Sequence, residues 1–115
     1  MRKSDLIRIH HMLDAANEAL SHAKGRTRKD LDTDRQLTHS LIRPIEIIGE
    51  AAANVTKEFR ERHPQIEWAN IVAMRNRLIH VYFDIDLNRV WDTVTDDLPP
   101  LIAELEKIIA SEAQR

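Results

Sequence analysis

The stretch Met74-Arg75-Asn76-Arg77-Leu78-Ile79-His80-Val81-Tyr82-Phe83 concentrates residue types that handle phosphate and protons. Arginine binds oxyanions through a planar fork of fixed charge, and histidine exchanges protons near neutral pH because its ordinary pKa is about 6.5. A helix turns about 100° per residue, so four steps bring Asn76 and His80 onto one face, while five steps leave Arg75 and His80 about 140° apart. An arginine side chain is long enough to span that angle beside a groove. On residue chemistry alone, His80 also reads as a helix C-terminal residue placed favourably against the macrodipole. Tyr82 by itself reads as an amphipathic residue that packs its ring and keeps its hydroxyl in water.

Other constellations are weaker. Glu46 and Glu50 share a helical face around Gly49, where boundary carboxylates in ion pairs with arginines are the plain reading and the glycine marks a close helix crossing. His10 and His11 have Asp14 as a carboxylate neighbour, whereas His22, His39 and His63 have no partner at a ligating spacing. Neither the paired Glu-x-x-His pattern of di-iron bundles nor His-Glu-x-x-His occurs, so no metal site is expected. With no cysteine, thiolate metal sites, disulfides and a cysteine nucleophile are excluded.

The elements that must position these residues are helical. Leu6, Ile9, Leu13, Ala16 and Leu20 form a stripe over Ser4 to Lys24, with Ser4 placed as a cap and Gly25 as a stop. A charged connection, Arg26 to Asp32, has room for a turn of helix. Leu37, Leu41, Ile45, Ile48 and Ala52 then predict a long helix over Thr33 to Val55, with a bend at Pro44 because proline lacks the donor to Ser40. Thr56 caps a short segment to Arg62, and a further helix runs from about Glu67 to His80. After an aspartate-rich connection, Leu87, Val90, Trp91, Val94, Leu98, Leu101, Leu105 and Ile108 form a last stripe that keeps its phase across Pro99-Pro100. These stripes predict an all-α protein, an antiparallel four-helix bundle with kinked helices and a short additional helix.

The 115 residues fit one domain, 1–115. A hydrophobic fraction of 43% and a net charge of −2 are globular values that give no global field for polyanions, so nucleic acid must be met by a local patch. Arginine supplies 12 of the 17 basic residues, in keeping with oxyanion contacts. No apolar run has the roughly 20 residues of a membrane span, which leads to the expectation of a cytoplasmic protein.

The motif Arg75-Asn76-Arg77-Leu78-Ile79-His80 resembles the Arg-x4-His signature of the HEPN superfamily, and Tyr82 extends it to the Arg-x4-His-x-Tyr form of the HepT-like branch. Ile45 to Ala52, Glu58-Phe59 to His63-Pro64, Trp68, and Asp86-Leu87 to Leu98-Pro99 also look like that branch, so the resemblance covers nearly the whole chain. Val81 and Asp84 stand where the family often has glycine.

The resemblance implies a homodimeric, metal-independent endoribonuclease without cofactor, the toxin of a HepT/MntA-type toxin-antitoxin pair acting on tRNA or mRNA. It implies that Arg75 holds the scissile phosphate and that His80 activates the ribose 2′-OH or protonates the leaving oxygen. Asn76 would orient His80 or bond the phosphate, and Arg77, Arg60, Arg62 and Lys57 would extend a basic rim along the RNA. It further implies that an MntA-type nucleotidyltransferase antitoxin adenylylates Tyr82. The contrasting expectation is a noncatalytic HEPN module that serves as the substrate-recognition subunit of a nucleotidyltransferase.

Overall fold

The computed structural model describes residues 3–81 and 84–114, the side chains of Lys3, His80 and Val81 excepted. Helix α1 (Lys3–Ala23) leads through the single turn α2 (Asp30–Thr33) to α3 (Arg35–Ala53). Short α4 (Lys57–Arg62) precedes α5 (Trp68–Leu78). A small antiparallel hairpin, β1 (Ile79–Val81) and β2 (Asp84–Ile85), follows, and then α6 (Leu87–Asp92), a π-helical turn at Thr93–Asp97 and α7 (Leu98–Ala113). The fold is thus an all-α bundle of four long segments among the described residues: α1, α3, α5 and the composite of α6, π-turn and α7.

Local chemistry explains most boundaries. Gly25 adopts the left-handed conformation at φ 75° that a β-carbon would penalise, and it ends α1. Ser4 lies inside the first turn of α1, so it is not the cap; its carbonyl accepts from Arg8 at 3.4 Å. Asp34 caps α3 by accepting from the Leu37 N–H at 3.0 Å, two residues later than the expected start, because Asp30–Thr33 forms its own turn. Thr56 caps α4 as expected, and its hydroxyl donates to Asp5, whose other carboxylate oxygen accepts the Thr56 N–H. Asp5 is buried, so this pair of bonds fastens the start of α1 to the start of α4.

α3 runs unbroken through Pro44 and packs on both α1 and α5, while α7 packs on the other side of α1. The core is built from Ile9, Met12, Ala16 and Ala19 of α1 against Leu41, Ile45, Ile48 and Ala52 of α3, with Val94, Leu98, Leu105 and Ile108 behind. On α1 the buried centre falls on Ile9, Met12 and the alanines, and Leu6, Leu13 and Leu20 flank it half-buried; Ala16 and Ala19 are small enough to let a neighbouring helix approach closely. α5 and α7 leave a groove of about 400 Å³ between them, floored by Ile66, Ile71, Met74 and Leu101.

Candidate active site

Arg75, Asn76 and Arg77 occupy the last turn of α5, all exposed. The expectation that this helix continues to His80 is corrected here. α5 ends at Leu78, and His80 sits in strand β1, so Asn76 and His80 do not share a helical face. The physical reason lies in Ile79-His80-Val81, where β-branched residues flank the histidine and favour extended backbone over a further turn of helix.

The hairpin register gives His80 a distinct position. Ile79 pairs with Ile85 and Val81 with Asp84, so three residues of β1 face two of β2 and His80 is the one without an opposite number. Such an extra residue is a bulge, a device that bends a strand. The hairpin is tied to the end of α5 by the Asp86 N–H, which donates to the Leu78 carbonyl at 2.7 Å. Tyr82 lies outside the described residues.

Arg75 is anchored from a neighbouring helix. Its Nε donates to Glu46 Oε2 at 3.2 Å, with the two side chains 49% and 34% exposed. A solvent-accessible pair of this kind contributes about 0 to 1 kcal/mol to folding. The contact is made possible by Gly49, one turn along α3, where an added β-carbon would stand 3.4 Å from the carbonyl oxygens of Ile71 and Val72. The close crossing expected at Gly49 is therefore present, and the ion pair expected for the Glu46 face is made with Arg75 itself. Among the described residues the two Nη atoms of Arg75 carry no hydrogen bond, which leaves the end of the guanidinium fork open.

The other predicted basic residues are placed elsewhere. Arg77 folds back along its own helix, donating from Nη2 to the Asn70 carbonyl at 2.7 Å and to Asn70 Oδ1 at 3.1 Å, and it lines the groove beside Asp97. Arg60 donates to the carbonyls of Ala53, the last residue of α3, and of Val55 just beyond it, satisfying acceptors at the helix end. Arg62 lies over the Phe59 ring and binds Glu112 of α7, which also meets His63 Nε2 at 2.9 Å. Lys57 is exposed and pairs with Glu61 at 3.9 Å. The α4 residues are thus not gathered around Arg75: Glu46 precedes the end of α3 by seven residues, or about 10 Å of helix rise.

Two carboxylate sites were not foreseen. Glu112 is buried, and its signal in the sequence is only its place on the edge of the last apolar stripe. Asp97, at the end of the π-turn, has its carboxyl pushed above the ordinary range by burial and by Asp96, an effect opposed by Arg77 and Arg89. Among the described residues no group of three or more His, Asp or Glu is arranged to hold a metal ion, and no helix is long and apolar enough to cross a membrane.

The ribonuclease HepT-like family model matches residues 12–108, a span that holds α3, α5, the motif and most of α7. The chain belongs to the HepT-like family. Among its relatives is a Caldanaerobacter subterraneus subsp. tengcongensis protein named "Putative RNase TTE0752", 36% identical over 104 residues, covering 90% of this chain and 93% of that protein. A Thermococcus cleftensis protein named "Probable ribonuclease HepT" is 40% identical over 80 residues, 70% of this chain and 73% of its own length. The Methanocaldococcus jannaschii protein named "Gamma-glutamylcyclotransferase and putative RNase MJ0434" is 39% identical over 109 residues, and the chain spans 95% of itself but about half, 49%, of that longer protein. No solved structure matches the chain.

Proposed function

We propose that this chain is a metal-independent endoribonuclease, the toxin of a toxin-antitoxin pair, that cleaves tRNA or mRNA in a cleft formed by two copies. The observation that carries the reading is the open guanidinium of Arg75 at the end of α5, five residues before a histidine at a strand bulge, in a chain of the HepT-like family. In this scheme the Nη atoms of Arg75 bind the scissile phosphate and stabilise the charge that builds on its oxygens. His80 takes the proton of the ribose 2′-OH, the 2′ oxygen attacks the adjacent phosphorus, and the bond to the 5′ oxygen breaks. His80 of the partner subunit protonates that leaving oxygen. The products are a 2′,3′-cyclic phosphate and a free 5′-OH, and the two histidines exchange roles as base and acid. Asn76 bonds the phosphate or orients His80, and exposed Lys57 is the α4 residue best placed to meet a longer RNA without disturbing the fold.

Within the same proposal, the antitoxin is a nucleotidyltransferase that transfers AMP from ATP to the Tyr82 hydroxyl, releasing pyrophosphate. The added phosphate would compete for the anion site at Arg75. Intact-mass spectra of protein co-expressed with the cognate enzyme are expected to show adenylate that Tyr82→Phe abolishes; unmodified protein under inhibitory conditions overturns this part.

The direct test is RNA cleavage in chelator-containing buffer by the wild type, Arg75→Ala and His80→Ala, each checked for folding and for oligomeric state. Losses of about 10² to 10⁴ in rate are expected for each variant. Equal cleavage by all three would remove the catalytic assignment and favour a noncatalytic binding module.

A further inference from the structure

We propose that Glu46 is the positioning residue for Arg75, and that it acts against ground-state binding of RNA while it raises the rate of the chemical step. The inference rests on the ribonuclease reading above and adds to it a residue outside the motif. Its basis is geometric. Glu46 takes the Nε–H of the guanidinium, and among the described residues neither Nη atom is bonded, so the Nη end is held in one orientation and left for a phosphate. A free arginine side chain samples many rotamers, and fixing it before substrate arrives lowers the cost of reaching the reactive geometry. The carboxylate that does this also carries negative charge beside the position a phosphodiester would take, so it repels the substrate it prepares for.

The placement is set by backbone rather than by chance contact. α3 and α5 cross antiparallel at Gly49, opposite Ile71 and Val72; one turn away in opposite chain directions lie Glu46 and Arg75. Glu50, four residues on from Glu46, is exposed, and its carbonyl, not its carboxylate, accepts from Asn54 at 2.9 Å. The two glutamates of this face are therefore not equivalent, and Glu50→Ala is the control for a charge lost from α3 without loss of the Arg75 contact.

Two substitutions separate position from charge. Glu46→Gln keeps an oxygen acceptor for the Nε–H but removes the charge, and Glu46→Ala removes both. Steady-state cleavage is expected to show KM lowered in both variants, kcat within about threefold of wild type for Glu46→Gln, and kcat reduced about 10- to 100-fold for Glu46→Ala. A kcat for Glu46→Ala within twofold of wild type, or no greater loss than for Glu50→Ala, overturns the proposal. A second readout does not depend on cleavage. In ¹⁵N-labelled protein the Arg75 Nε–H is expected to exchange with solvent several-fold faster in Glu46→Ala than in wild type, with Glu46→Gln between them. Equal exchange in all three overturns the positioning role even if the protein is a ribonuclease. Wild type that exchanges slowly yet cleaves no RNA would leave the pairing intact and remove the activity assigned above.

Discussion

Two arginine-glutamate pairs sit in different regions of this molecule and are put to opposite uses. At the corner of α4 and α7, the Glu112 side chain is 1% exposed, Arg62 Nη2 reaches both of its oxygens at 2.9 and 3.0 Å, and His63 closes the group at 2.9 Å. Between α3 and α5, Glu46 and Arg75 touch once, at 3.2 Å, and both side chains are open to solvent. The buried carboxylate has exchanged solvent for protein partners, so removing it leaves a guanidinium and an imidazole without the charge they were folded around. The exposed pair has given up little hydration and holds a side chain in place without holding the fold together. One residue pairing therefore acts as a fastening where water is excluded and as an aiming device where it is not.

The contrast can be broken in three ways, taken by size of effect. Arg75→Ala is expected to lower RNA cleavage by 100-fold or more while its midpoint in urea stays where the wild type has it. A large fall in stability would mean that the α3–α5 pair is a fastening after all. Glu112→Ala should cost about 3 kcal/mol in the same denaturation experiment, and a cost below about 1 kcal/mol would erase the difference between the regions. The smallest effect concerns Asp97, whose carboxyl is raised by burial and by Asp96. A raised folded-state pKa means that the ionised form is disfavoured in the native protein. Asp97→Asn is therefore expected to stabilise slightly at neutral pH. The gain fades as pH falls through the raised value and is gone below the ordinary carboxylate range, where the aspartate is protonated in both states. A gain that persists in acid would point to packing instead of charge.

Much of this was legible in the residues. The helical stripes, the stop at Gly25, the cap at Thr56, the crossing at Gly49 and membership of the HepT-like family follow from local patterns that the fold respects. The misreadings occur where two local preferences compete. Leu78-Ile79-His80-Val81 continues an acceptable helical phase, yet its β-branched residues are released into a hairpin once Leu78 is buried and Asp86 can bond back to it. The bulge at His80 depends on register with β2, a property of two segments that neither carries alone. Arg60 and Arg62 look like surface charge in the chain. What engages them is a carbonyl at the end of α3 and a glutamate 50 residues away, and no periodicity announces either.

The π-turn at Thr93–Asp97 has a consequence for chain length. Here the Leu98 N–H reaches back five residues to the Thr93 carbonyl, and Pro99 and Pro100 enter α7 at its first positions, where a missing donor costs least. The α6-to-α7 rod is in effect one helix written with a spare residue, and the spare residue is what lets two prolines stand in mid-rod without a loop. Without it, the prolines would force either a break or a rotation of everything downstream. The last two turns of α7, with Glu112 at their end, would then face away from Arg62 and His63, so the far corner of the molecule is kept in alignment by a single extra peptide unit.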